Sequence, residues 1–420
     1  MNRLFRSEVL QRDQLYRLLD HRYKSTGVSF VEPIFQPFWR WTAKHVPLTV
    51  APNTLTLTGL ISNVIPILLL LYYSPNFKDE IPAFPILLFA FGIFIYMTLD
   101  ALDGLHARRT NTCSHLGEMF DHGCDAISMY LLPLAYFAII GFGDSPTAMF
   151  IEFFILNSMF YTYQWQSFVS GCMSFDSFSV SESIMFAIVF SILSAIFGVD
   201  MWRLKDPLFG LQLNRLQFLI VVLGSVVLFS RAGQSIAVDG SGKYGTTVAN
   251  TSVLFPVWPL LLIVGSAVFV FVRSPSQVYM HHPCLFLMCF GAVMAKISQN
   301  LVIAHMTKTG IRWFDTAMFG PLSLLVNLYF DCPVNEHWLL WAACVWSTFD
   351  MLYFCVRISI QVAGFLQIYI FRVPWSPTSR SHSAAPRSSP MSSTVRPQQP
   401  MVPTISAASL RSHTRRVVHN

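Results

Sequence analysis

Long apolar runs separated by short polar stretches recur between residues 54 and 370. A helix of roughly 20 apolar residues crosses a bilayer. On that scale the pattern predicts ten spans, near 54–73, 82–99, 117–141, 146–170, 182–199, 213–231, 252–272, 283–304, 315–331 and 337–370. The ninth is short and contains Pro321, and the tenth is long enough to bend or to run partly into the cytosol. The period-2 alternation of a membrane barrel is absent. Ahead of the spans, Leu10, Leu15, Leu18 and Leu19 recur at helical spacing among charges. The stretch SFVEPIFQPFWRWTAKHV then mixes aromatics with Arg40 and Lys44, as expected of an amphipathic helix lying in the interface plane or of a protein-binding surface. From Val373 onward the chain is rich in Ser, Pro and Arg and has too few large apolar side chains to bury a core, which predicts a disordered basic tail suited to an anionic membrane surface.

Composition fits this picture. Of 420 residues, 53% are hydrophobic and 12% charged, and the mean hydropathy is +0.50; a soluble domain carries about 25% charged residues. The fold class is therefore an all-α polytopic membrane protein, with about ten transmembrane helices and an N-terminal interfacial amphipathic helix. No short apolar core near Met1 marks a cleavable signal peptide. The eight cysteines lie mostly in or beside apolar spans without paired zinc spacing, as buried free thiols do. An even number of spans puts both termini on one side. Residues 1–50 hold eight Lys/Arg and residues 372–420 hold seven Arg and no acid, so both ends, and the loop carrying Arg108 and Arg109, are expected in the cytosol. The expected divisions are 1–50, cytosolic and interfacial helices; 51–235, a catalytic transmembrane core; 236–372, further transmembrane helices; and 373–420, the tail. No nucleic-acid partner is expected.

The chemistry concentrates in TLDALDGLHARRTNTCSHLGEMFDHGCDAIS, between spans two and three. Asp100 and Asp103 are three residues apart and Asp121 and Asp125 four, so each pair shares one helical face. Unpaired carboxylates at membrane helix ends are costly, and divalent cations are the simplest way to hold four together. Magnesium or manganese, binding as two ions, suits oxygen ligands, and no Cys/His set favoured by zinc stands nearby. Asp100, Asp103 and Asp121 are the expected metal ligands, with Asp125 a general base and also a possible ligand. Glu118, Asp121, His122 and Asp125 share one helix face. His122 is accordingly a rival base or a residue that orients an aspartate, and Glu118 its partner or a nucleotide contact. Arg108 suits a phosphate oxygen, and Gly104 and Gly117 allow close approach of backbone and ligand.

Written as D-x2-D-G-x2-A-R-x8-G-x3-D-x3-D, from Asp100 through Ala107 to Asp125, the stretch resembles the signature of the CDP-alcohol phosphotransferase family, with every fixed position filled. Pro52-Asn53 with Thr56 resembles a second element of that family. The pieces GEMFDHGCDA, WQSFVSGCMSF, LVIAHMTK and QRDQLYRLLDHRY resemble its eukaryotic choline/ethanolaminephosphotransferase branch. The resemblance implies nucleotide contact by Asn53 and Thr56, a place for Ala107 among the substrate-binding positions, and a homodimer. It also implies an enzyme of endoplasmic reticulum or Golgi membranes, its active site facing the cytosol. That enzyme would transfer phosphocholine or phosphoethanolamine from CDP-choline or CDP-ethanolamine to diacylglycerol, giving phospholipid and CMP among membrane lipids. The rival readings are a relative using another alcohol, of inositol type, and a non-enzymatic membrane transporter.

Weaker signals point elsewhere. Trp165 with Glu182 could enclose a quaternary ammonium or be an interfacial Trp and a helix-end Glu. Lys296, Asn300 and His305 could meet a headgroup or form a packed polar seam. GSGK at 240–243 lacks the rest of a phosphate loop, and the sequon at Asn250 is expected unused.

Overall fold

The computed structural model describes residues 8–27, 29–174 and 180–373; the expected tail lies outside the described residues. In chain order the elements are α1 (Arg12–Leu18), β1 (Ser25–Thr26), α2 (Glu32–His45), α3 (Pro52–Tyr73), α4 (Ala83–Thr110), α5 (His115–Ile139), α6 (Pro146–Ser170), β2 (Met173–Ser174), α7 (Val180–Phe197), α8 (Leu213–Val238), α9 (Val257–Arg273), α10 (Val278–His281), α11 (Pro283–Thr307), α12 (Phe319–Tyr329) and α13 (Glu336–Leu366). Each of the ten predicted spans falls on one of the helices α3–α9 or α11–α13. Six of these, α3, α4, α7, α8, α11 and α13, are long and apolar enough to cross a membrane. α9 and α12 are shorter apolar helices, whereas α5 and α6 match the others in length but bury polar side chains such as His122, Glu152, Asn157 and Gln164.

The bundle is an integral-membrane one, and α8 illustrates why. It buries Asn214, Gln217 and Ser225 while exposing Leu219, Ile220, Leu223 and Val226. A helix in water does the reverse. Lipid solvates the apolar face, and the polar groups find partners inside: Gln217 Nε2 donates to Glu152 Oε1 at 2.7 Å. α11 is the central post, packed by α5, α6 and α13, with Phe286, Phe290 and Val293 fully buried.

Two glycines set how closely the helices approach. A Cβ on Gly92 of α4 would lie 2.2 Å from the Ser62 carbonyl of α3, and one on Gly291 of α11 would lie 2.6 Å from the Tyr130 ring of α5. α3 and α4 therefore touch almost backbone to backbone, and on α11 the missing side chain makes room for the Tyr130 ring, the close packing that small residues permit in lipid.

The ends of the bundle are tied separately. At one end Arg203 Nε bonds Asp144 at 2.8 Å, Arg203 Nη2 donates to the Lys78 carbonyl at 2.6 Å, and Tyr279 donates to the Pro146 carbonyl at 2.7 Å. At the other, Arg109 Nη1 clamps the carbonyls of Ala43 and Val46 at 2.6 and 2.8 Å, fixing α2 against the end of α4. α2 exposes Ile34, Phe38 and Trp41 beside Arg40 and Lys44, in keeping with an interfacial helix.

Candidate active site

The second end of the bundle carries the aspartates. α4 runs past the apolar stretch to Thr110, so Asp100, Asp103 and Arg108 all stand on its final turns. It stops where Asn111 adopts a left-handed conformation (φ 54°) that lets the Thr112 N–H reach back to the Ala107 carbonyl at 2.9 Å. Two residues later Ser114 caps α5, its hydroxyl accepting from the Gly117 N–H at 3.1 Å. The resulting tight helical hairpin sets Asp100 and Asp103 opposite Asp121 and Asp125.

The carboxyls of Asp100 and Asp121 lie within hydrogen-bonding reach of each other. Ligand atoms of Asp121, His122 and Asp125 fall within 4.8 Å of one another, so His122 joins the cluster directly. Among the described residues no Lys or Arg pairs with any of the four aspartates, and Asp121 Oδ1 is buried without a hydrogen-bond partner. Adjacent carboxylates held in low dielectric without a cation are strongly unfavourable. Converging oxygens, an orphaned acceptor and the lack of a direct ion pair fit a site for hard divalent cations.

Around this centre, Thr56 of α3 donates its hydroxyl to Asp103 Oδ2, and Tyr96 of α4 donates to Asp125 Oδ1. Thr56 thus reaches the site through an aspartate. Asn53 donates from Nδ2 to the Ile370 carbonyl at 3.0 Å, and its Oδ1 lies 3.6 Å from the position of a Cβ on Gly117. It ties the start of α3 to the chain beyond α13, beside the start of α5. Arg108 is exposed and folds back over Gly104, whose Cβ would lie 3.6 Å from its guanidinium. Ala107 lends its carbonyl to the turn. Glu118 accepts from His21 Nε2 at 2.8 Å.

Tyr96 and His21 did not stand out in the sequence. Tyr96 had a signal, lying four residues before Asp100 on one face with it. His21 lay inside the QRDQLYRLLDHRY segment, but nothing local could point to its partner, 97 residues away.

The residues of the weaker signals all have partners within the protein. Trp165 donates to the Val253 carbonyl at 2.7 Å, and Glu182 accepts from the Val31 N–H at 2.8 Å. Lys296 bonds Asp315 at 2.9 Å, Thr316 at 3.0 Å and Asp350, while Asn300 donates to Asp315 at 2.8 Å. That is a closed polar seam. His305 instead lies against His21, with ring centroids 5.3 Å apart. Lys243–Gly245 is a single turn, and Asn250 Oδ1 accepts from the Lys243 N–H at 3.0 Å. All eight cysteines are free thiols.

Comparison with known proteins places this geometry. A family profile described as CDP-alcohol phosphatidyltransferase matches residues 49–287, the helices that build the site. Cholinephosphotransferase 1 of Danio rerio is 41% identical over 375 residues, covering 89% of this chain and 98% of its own. Cholinephosphotransferase 1 of Homo sapiens is 40% identical over 366 residues, covering 87% and 90%. An uncharacterized CDP-alcohol phosphatidyltransferase class-I family protein of Dictyostelium discoideum is 28% identical over 315 residues, covering 74% and 81%. With the profile covering more than half its length and such relatives spanning most of the rest, the chain belongs to the CDP-alcohol phosphatidyltransferase family.

Proposed function

We propose that this membrane protein transfers phosphocholine or phosphoethanolamine from the CDP-alcohol to diacylglycerol, releasing CMP. The observation that carries the reading is the facing pair of aspartate couples on α4 and α5, set at one end of a bundle whose outer surface is apolar. Such a site meets a water-soluble pyrophosphate from one side and a lipid hydroxyl from the other.

Asp100, Asp103, Asp121 and Asp125 would hold two Mg²⁺ or Mn²⁺ ions. When bound, these neutralise charge on the pyrophosphate and the leaving phosphate. Asn53, Thr56, Gly104, Ala107, Gly117 and Glu118 line the approach of the nucleotide, and Arg108 closes on a phosphate oxygen through its fork of donors. The diacylglycerol hydroxyl gives its proton to Asp125 or His122 and attacks the phosphorus bearing the alcohol. One oxygen–phosphorus bond forms, the pyrophosphate bridge breaks, and CMP takes the bridging oxygen. Tyr96 orients Asp125, and Thr56 orients Asp103. Positioning and charge complementarity supply most of the rate, as in phosphoryl transfer generally.

The protein works as a homodimer in endoplasmic reticulum or Golgi membranes, with the aspartates facing the cytosol. Residues 1–50 seat the interfacial helices, 51–235 form the catalytic core and 236–372 complete the bundle.

The test is CMP release by purified protein in detergent with diacylglycerol, given CDP-choline and CDP-ethanolamine separately, beside Asp125→Asn. Activity lost in the variant and on chelation, and regained with Mg²⁺ or Mn²⁺, is the expected result. If neither donor yields CMP above the variant's background, the reading fails for these substrates.

A further inference from the structure

The N-terminal segment 8–27 forms a strap across the end of the bundle that carries the site. It is pinned at both ends. Near α1, the N–H groups of Val9 and Leu10 both donate to Gln361 Oε1 at 3.0 and 2.9 Å, Gln361 Nε2 returns a bond to the Leu10 carbonyl at 2.7 Å, and Gln14 Nε2 donates to Thr309 at 3.2 Å. Leu10, Leu15 and Leu18 fill a hydrophobic cluster with Leu116 and Met119 of α5, Met306 of α11 and Val362 of α13. At the other end, β1 pairs in parallel with β2, and the Met173 N–H donates to the Lys24 carbonyl at 2.9 Å.

Between these anchors sits His21. Its side chain is 4% exposed. Its ring lies edge-on to those of His305 and His115, with centroids 5.3 and 5.8 Å away, and its Nε2 meets Glu118 Oε1 at 2.8 Å. Glu118 stands one helical turn before Asp121 and His122. The family match begins at residue 49, so this bond comes from chain outside the shared profile.

We infer that His21 is a positioning residue, which holds the Glu118 carboxylate on the catalytic face of α5 for the CDP-alcohol. The inference rests on the function proposed above. A Glu on the surface of a helix samples several rotamers, and a donor fixed by two anchored ends of a strap selects one. The strap thereby couples order at the N-terminus to affinity for the donor substrate, and the lipid acceptor is left untouched.

The test is steady-state kinetics of the full chain, with each substrate varied in turn. His21→Phe keeps a ring between His115 and His305 and cannot donate to Glu118. It is expected to raise KM for the CDP-alcohol about tenfold, the scale of one hydrogen bond to a charged group, and to leave KM for diacylglycerol unchanged. His21→Gln, which can still donate, is expected to recover most of that loss. In a Glu118→Gln background His21→Phe is expected to have little further effect. An unchanged KM for the CDP-alcohol in His21→Phe overturns the inference. So does a fall in kcat alone that tracks the fraction of folded protein. Should His21→Phe not fold, Glu118→Gln decides: an unchanged KM for the CDP-alcohol overturns the inference and a raised one supports it. A wild type that releases no CMP from any CDP-alcohol overturns the functional reading, and this inference with it.

Discussion

Tyr96 is the side chain at which the site is easiest to weaken without dismantling it. Its hydroxyl donates to Asp125 Oδ1, and the ring is buried against its neighbours. Tyr96→Phe keeps the ring and removes one donor. A hydrogen bond to a charged group is worth about 1.5–3 kcal/mol, so kcat/KM should fall roughly 10- to 100-fold with the fold intact. Thermal melting beside CMP release separates the two effects, and a melting temperature that falls in step with activity would assign Tyr96 to packing alone. At this scale much was legible in advance. The spacing of the four aspartates put each pair on one helix face, and the helices do carry them so. Local spacing could not supply the partners: the donation from Thr56 to Asp103 spans 47 residues and that from His21 to Glu118 spans 97. It also left the place of His122 open, between base and orienting residue, because its relation to the aspartates across the turn depends on how α4 and α5 close.

The hairpin of α4 and α5 depends in turn on how α3 meets α4. Thr56 reaches Asp103 across the interface of α3 and α4, and the same two helices touch at Gly92, where a Cβ would come within 2.2 Å of the Ser62 carbonyl. The obstructing atom is backbone, so no rotamer change relieves the clash. Gly92→Ala should therefore push α3 from α4 at a cost of about 1–3 kcal/mol, the range for overpacking, and lower activity beyond the loss of folded protein. Gly265→Ala in α9 is the contrasting case, since nothing lies within 4 Å of its Cβ. Alanine there should be neutral or stabilising by up to about 1 kcal/mol, because glycine is a poor helix former. Equal melting temperatures for the two variants would refute the packing argument. Apolar runs showed where the helices lie, and the shared helical face of Asp100 and Asp103 carried the reading beyond the apolar run that ends near residue 99. α4 does continue to Thr110, since charged residues at a helix end are satisfied by ligands and water. The pairing of β1 with β2, two residues each, has no local signal at all.

For the molecule as a whole, the alternation of helices separates two ends that should face different compartments. Cys113 is exposed in the turn between α4 and α5, beside the aspartates. Cys332 is partly exposed in the turn between α12 and α13. Seven predicted spans lie between these turns, an odd number, so the two thiols belong on opposite sides. The basic residues 1–50 and the aspartate turn share one end, and positive charge favours the cytosol. A chain keeping only these two cysteines, in sealed microsomes with the cytosolic face outward, should therefore react with a membrane-impermeant maleimide at Cys113 alone. Cys332 should react only after permeabilisation. It should also react more slowly, since partial burial and the nearby Glu336 push its thiol up, and the thiolate is the reactive form. Labelling of both before permeabilisation would mean that one of the helices outside the six long apolar ones, α5, α6, α9 or α12, does not cross. Labelling of Cys332 alone would invert the orientation and place the aspartates away from any donor made in the cytosol, which no adjustment of the local geometry could reconcile with the proposed reaction.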